Sequence, residues 1–277
     1  RRPMSADAAP GDAAVPPAVP LAAHAGAPLV ARARGVVRVT LDRPAEHNRL
    51  DPADVDALAA LFATLRSEFD ADPQSVRALV ITGSGERSFS SGYTLDAIVE
   101  ELDHRLEDML DALESLPVTT VAAINGGVYG GATDLALCCD LRIGVAGTRM
   151  FMPAARFGLH YYPGGLRRYV SRLGLAAATR LMLTAATIGD EEMLRIGFLG
   201  ELVPRESLAA RVDACVEQIL QTEPVVVAQM KRHLHALANA HAGTAEGRAL
   251  EAAMLEAYET SLRSQALRER LDALLRD

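Results

Sequence analysis

The segment Asn125–Asp140, NGGVYGGATDLALCCD, sets four glycines and an aspartate into a run that otherwise reads as buried helix. Just before it, Val118–Ile124 (VTTVAAI) is short, apolar and partly β-branched, the pattern of a strand buried on both faces. The glycines therefore lie between a buried strand and a helix. The first N–H groups of a helix have no intrahelical acceptor and point outward, so this junction suits negative charge.

Working outward, the same order of elements repeats. The stretch LVARARGVVRVTLDRP alternates apolar and polar residues around a Gly and predicts a β-hairpin. In LDPADVDALAALFATLRSEFD, Asp51 reads as the N-cap and Pro52 as the first helical residue, followed by apolar residues at helical spacing. A second buried strand is predicted over Val76–Thr82. The polar Gly/Ser loop SGERSFSSGYT leads from it into an amphipathic stretch that ends at Pro117. After Asp140, DLRIGVAGTRMFMP holds one or two further strands, and from Gly165 onward the pattern is almost entirely helical. The late apolar stripes are too many to bury within the first body and predict packing against another subunit.

Composition narrows the functional classes. The 277 residues carry a formal charge of −8, which argues against a general nucleic-acid binder because phosphate neutralisation needs a basic surface. Nearly half the residues are apolar and about a quarter charged, the balance of a soluble globular protein. No apolar run approaches the roughly 20 residues that cross a bilayer. Cys138, Cys139 and Cys215 have no metal-ligand spacing and read as small buried side chains, consistent with a reducing, cytoplasmic setting. His233 and His235, two apart, do not share a helix face, and no metal is expected. Residues 1–27, rich in Ala and Pro, read as a disordered tail, with a processed leader as the alternative.

Two Gly-containing loops follow buried strands, FSSGYT and NGGVYGG, where α/β folds place ligands. Glycine permits close backbone approach, so both loops can aim main-chain N–H groups at one ligand atom, although such turns also serve plain tight packing.

The motifs RPAEHNRL, FSSGYTLDAI, AAINGGVYGGATDLALCCDLRIG and FGLHYYPGGLRRYVSRLG, in this order and at these separations, resemble the enoyl-CoA hydratase/isomerase (crotonase) superfamily, as does LMLTAATIGDEEMLRIGFLGELVP. The resemblance runs from about Leu29 to the C-terminus. It implies an α/β fold, a crotonase-like spiral of ββα units with a helical C-terminal region. The expected division is tail 1–27, spiral core 28–205 and helical region 206–277, the last serving oligomerisation and active-site closure. It further implies a homotrimer or a hexamer of paired trimers, and an acyl-CoA thioester as substrate, as in fatty acid metabolism. No separate cofactor is implied, since coenzyme A enters with the substrate.

By the same resemblance, the N–H groups of Tyr93 and Gly131 form an oxyanion hole for an enolate. Asp134 occupies the first of two carboxylate positions and is expected to handle protons, although a first-turn Asp also satisfies a helix start. The second carboxylate position falls on Ala154, which transfers no proton. Arg156 is a candidate to hold a substrate carboxylate, and Tyr161 matches a tyrosine found in methylmalonyl-CoA decarboxylases of the superfamily. His160 is a candidate proton carrier. Ser91, Leu95 and Gly130 are expected to contact the acyl thioester, and Arg43 and Lys231 (or Arg232) the coenzyme A phosphates. Decarboxylation of a malonyl-type thioester, or acyl-CoA binding by a catalytically impaired paralogue, are the alternatives.

Overall fold

The structure is a computed structural model that describes residues 17–94, 104–239 and 244–274. The predicted hairpin is present, with strands β2 (Leu29–Ala33) and β3 (Val36–Leu41) paired antiparallel. A further short strand, β1 (Val19–Pro20), pairs with β2. The segment expected as tail thus joins the fold from Pro17 onward. Besides the β1–β2 pairing, His24 Nε2 lies 2.6 Å from Oδ1 of the fully buried Asp54.

Helix α1 (Pro52–Ala71) starts where Asp51 and Pro52 place it, and the Asp54 carboxylate accepts from the Asp51 N–H at 2.8 Å. Strands β4 (Ala78–Gly83), β6 (Thr119–Ile124), β8 (Leu141–Val145) and β11 (Glu201–Val203) extend the sheet in parallel from β3, giving the order β1-β2-β3-β4-β6-β8-β11. Alternation within these strands feeds two cores. Leu79, Ile81, Ala122 and Ile124 pack with Leu58 and Leu65 of α1 and with Met109 and Leu113 of α2 (Arg105–Glu114). Val80, Val121 and Ile143 face the other way, against Val212, Val216 and Ile219 of α7 (Leu208–Leu220). Burial on both faces explains why the strands read as continuous apolar runs.

A second sheet, ordered β10-β9-β7-β5, is built from short pieces: β5 (Ser88–Ser90), β7 (Gly127–Tyr129), β9 (Arg149–Phe151) and β10 (Ile188–Gly189). Two of these fall in the segments read as loops, because three residues are too few to establish a periodicity. Each turn of the chain now has one form: a strand in the large sheet, a short strand in the small sheet, then a helix. β4, β5 and α2 make one such turn. β6, β7 and α3 (Gly131–Cys138) make the next, and β8, β9 and α4 (Ala154–Phe157) the third. This is the crotonase-like ββα spiral.

The helical remainder comprises α5 (Pro163–Thr184), interrupted at Gly174, α6 (Asp190–Arg195), α7, α8 (Pro224–Ala238), α9 (Ala245–Leu262) and α10 (Gln265–Leu274). Leu262 and Leu267, with Tyr258 of α9, bring the last two helices back against Phe157 and Leu159. The late stripes meet different fates. That of α7 is buried on the sheet, whereas α8 leaves Val226, Met230, Leu234 and Leu237 exposed. No helix among the described residues is long and apolar enough to cross a membrane.

Candidate active site

The two Gly-containing loops lie against each other, and a third segment fixes them. Asn48, buried in RPAEHNRL, donates to the Ser84 and Ser88 carbonyls at 2.9 and 2.8 Å and accepts from the Arg43 N–H at 3.1 Å. Leu50 then bridges Tyr93: Leu50 N–H donates to Gly92 O at 2.8 Å, and Thr94 N–H donates to Leu50 O at 3.0 Å. With the groups on either side of Tyr93 turned toward Leu50, the Tyr93 N–H faces the opposite side, toward α3. Asn125 does the same for the second loop, accepting from Gly83 N–H at 3.0 Å and donating to Gly85 O at 2.8 Å.

Gly92 is required by space. Its φ is +87°, and a β-carbon there would lie 2.6 Å from Gly131 N and 2.9 Å from Tyr129 O. Gly130, at φ +53° and ψ −132°, sits where a side chain is strained, and its N–H donates to Phe151 O at 2.9 Å. The next amide, that of Gly131, is the first of α3, without an intrahelical acceptor and at the positive end of the helix. A β-carbon built on Gly131 would stand 3.6 Å from Tyr93 N, so the two expected amides border one space.

That space is a cavity of about 360 Å³. Of the residues expected from sequence, Ser91, Tyr93, Gly130, Gly131, Ala154 and Tyr161 line it. Tyr129, Phe151, Phe157, Tyr162, Tyr258 and Leu262 make much of the remaining wall aromatic and apolar. Among the described residues that line it, Arg49 is the one charged side chain.

Asp134 is placed otherwise than expected. It is fully buried one layer behind the wall, with both oxygens engaged. Arg168 Nε donates to its Oδ1 at 2.8 Å and Nη2 to its Oδ2 at 2.9 Å, and the Tyr162 hydroxyl also donates to Oδ2. Tyr162 Oη in turn lies 3.2 Å from Oη of Tyr161, and both tyrosines line the cavity. Being one methylene shorter than Glu, the aspartate stops at its buried partners, and two tyrosines cover the distance to the cavity. Burial, with the Asp134 charge adding to it, pushes both phenols well above their usual range and keeps them protonated. Behind Asp134, Arg168 also donates to Asp111 and Glu114 at 2.6 and 3.1 Å. Burial opposes the charge of Arg168, but the adjacent Asp134 outweighs it and holds the guanidinium above its ordinary pKa. Burial likewise opposes the Glu114 carboxylate, yet Arg168, Arg167 and Arg172 bring it down to about 2.

The remaining candidates stand apart from the cavity. Arg43, expected on a phosphate, is committed to Asp54, to Asp51 at 3.4 Å and to Arg49 O at 3.3 Å. Its neighbour Arg49 is the one that reaches the cavity, a distinction that needs the turn's geometry. Lys231 is buried, donating to Asp140 Oδ2 at 2.8 Å and Val118 O at 3.0 Å. Arg156 is exposed, stacks 4.8 Å from the centre of the Phe151 ring and donates to Ala185 O. The His160 N–H donates to Ser261 Oγ at 2.8 Å, and its ring does not line the cavity. Leu95 lies outside the described residues. Arg168 and Arg49 are positions that sequence reasoning missed, and Tyr129 and Tyr162, weighed as pocket or core residues and set behind Tyr161, also line the cavity. HYYPGG and HNRL drew attention to their neighbours instead.

Fold and cavity together define an α/β protein whose spiral of ββα turns brings two loop amides to one apolar pocket. A sequence profile for Enoyl-CoA hydratase/isomerase matches residues 31–273, and the chain belongs to that enzyme family. It is 32% identical over 209 residues to a probable enoyl-CoA hydratase of Rhodobacter capsulatus, covering 73% of this chain and 78% of that protein. It is 35% identical over 170 residues to the enoyl-CoA hydratase AKT6-1 of Alternaria alternata, covering 60% of this chain. The match spans 54% of that relative, about half its length. A crystal structure of an enoyl-CoA hydratase/isomerase from Mycobacterium paratuberculosis has a similar fold, with a TM-score of 0.77 at 23% identity over 89% of this chain and 97% of that one.

Proposed function

We propose that the protein acts on an enoyl-type acyl-CoA thioester, by hydration or isomerisation, and holds the enolate oxygen on the N–H groups of Tyr93 and Gly131. The observation that carries this reading is the juxtaposition of those two amides across Gly92 at the wall of an apolar cavity. Donors fixed before the reaction stabilise developing charge at no reorganisation cost, by roughly 3–4 kcal/mol per donor. The proton steps fall to the side of the cavity where Tyr161 stands before Tyr162 and Asp134. The apolar wall suits an uncharged acyl chain. Turnover of crotonyl-CoA and longer enoyl-CoA thioesters by the purified protein tests the assignment. Tight thioester binding without turnover across such a panel would make it a binding protein instead.

Decarboxylation of a malonyl-type thioester is the second reading. It draws on the absence of a carboxylate from the described cavity wall and on the presence there of Tyr161. Release of carbon dioxide from malonyl-CoA or methylmalonyl-CoA would establish it.

We also propose that the chain self-associates as a trimer or a pair of trimers, with the exposed stripe of α8 among its contact surfaces, and that it works in the cytoplasm.

A further inference from the structure

Tyr161 and Tyr162 differ in where their hydroxyl hydrogens can go. The Tyr162 hydroxyl lies against Asp134 Oδ2, an acceptor with no hydrogen to return, so its single hydrogen is committed to the carboxylate. Its oxygen can therefore only accept in the 3.2 Å contact with Tyr161 Oη. The Tyr161 hydrogen is thereby drawn toward Tyr162, which leaves the oxygen of Tyr161, a residue of the cavity wall, with lone pairs to accept. Arg168 fixes the far end, gripping Asp134 through two parallel hydrogen bonds in a site with no exposure to solvent.

We propose that Tyr162 is a relay residue of this site: the hydroxyl oxygen of Tyr161, a residue of the cavity wall, takes a proton while Tyr161 passes its own hydrogen to Tyr162 and Tyr162 passes its own to Asp134. The inference rests on the acyl-CoA reading above. In hydration, the water oxygen bonds to the β-carbon of the thioester. The carbon–carbon π pair moves toward the carbonyl, leaving an enolate whose charge sits on the thioester oxygen. The water's proton goes to Tyr161 Oη, and each hydroxyl hydrogen shifts one place toward Asp134. The reverse shift then delivers a proton to the α-carbon. The enolate pair becomes the new C–H bond, and both tyrosines and the Asp134 carboxylate are restored. One relay serves both proton steps. A second carboxylate on the wall becomes unnecessary, which accounts for Ala154 at that position.

The test uses the full-length protein with butyryl-CoA in D2O, reading α-deuterium incorporation by mass spectrometry, together with crotonyl-CoA hydration. Tyr162→Phe keeps the ring, and with it the packing and the Arg168–Asp134 pair. It is expected to lower exchange and kcat by about 100-fold or more, the usual scale for losing a positioned proton carrier, while KM changes less than about twofold. Tyr161→Phe and Asp134→Asn are expected to fall to the same level, and the Tyr162→Phe/Asp134→Asn double variant no further, because all break one chain. A thermal midpoint near that of the parent certifies that each variant folds. Parental exchange in Tyr162→Phe, or additive losses in the double variant, would overturn the relay alone. A parent protein that neither binds nor exchanges acyl-CoA would instead overturn the underlying reading, and the relay with it.

Discussion

Arg168 meets Asp134 edge on, Nε to Oδ1 at 2.8 Å and Nη2 to Oδ2 at 2.9 Å, and neither side chain is exposed. The same guanidinium reaches Asp111 and Glu114 on α2, so one residue of α5 joins the helix behind the cavity to the helix beside it. Arg168→Met would strand the buried Asp134 while Glu114 keeps Arg167 and Arg172, and breaking such a buried pair from one side costs about 3–5 kcal/mol. Arg168→Lys is expected to recover only part of this, since an ammonium cannot form the planar double contact. Urea denaturation at neutral pH measures both. A stability within about 1 kcal/mol of the parent for Arg168→Met would remove the cluster from the account of the fold.

Gly92 separates the two amides assigned to the enolate, and this makes it a probe of them. Alanine at this position would drive its β-carbon into backbone, 2.6 Å from Gly131 N and 3.0 Å from Ala132 N. Turnover is expected to fall by about 100-fold or more, the scale of losing one oxyanion donor. Gly147→Ala is the control. Gly147 has nearly the same φ, +83°, but among the described residues nothing lies within 4 Å of a β-carbon there. Both variants bear the same backbone penalty of about 1–2 kcal/mol, so equal losses of kcat in the two would refute a special role for the space beside Gly92.

The long strands, α1 and the meeting of the two Gly loops were legible because each leaves a local mark: a branched apolar run, a Pro after a cap, a glycine where chains must touch. The short strands of the second sheet were not, since three residues such as Gly127–Tyr129 carry no period. The surroundings of Asp134 were hidden for another reason. Its partners, Tyr162 and Arg168, stand 28 and 34 residues away and meet it only after α5 packs on α3. Position alone made Asp134 look open to substrate. Arg43 and Arg49 illustrate the same limit: the turn at His47 and Asn48, both at positive φ, decides which of the two reaches the cavity.

Acid should act first through Glu114. Burial raises its pKa, but the three arginines around it outweigh burial and hold it at about 2, against 4.5 for the ordinary carboxylate. A depressed folded-state pKa gives stability that is present above pH 4.5 and is lost as pH falls from there toward 2. The gap corresponds to about 3 kcal/mol as an upper scale. Urea denaturation between pH 5 and pH 2.5 should show the parent losing stability more steeply than Glu114→Gln, which has no proton to take up there. Parallel curves for the two proteins would mean that other carboxylates carry the acid response.

The exposed stripe of α8 bears on assembly. On α8, Val226, Met230, Leu234 and Leu237 recur at helical spacing and are 47%, 54%, 65% and 75% exposed in the single chain. The same helix is tied down about a quarter turn from that stripe, with Lys231 buried between Asp140 and Val118 O, so the helix cannot roll its apolar face inward without breaking that pair. Contiguous apolar surface of this kind marks an interaction site, and the excess of late apolar stripes predicts another subunit over it. Met230→Glu/Leu234→Glu would set two charges in such a contact while leaving the buried side of α8 intact. Sedimentation velocity is expected to find the parent as an oligomer and the double variant shifted toward the 29.5 kDa single chain. A parent that sediments as single chains at micromolar concentration, or a double variant that assembles like the parent, would exclude α8 from the interface.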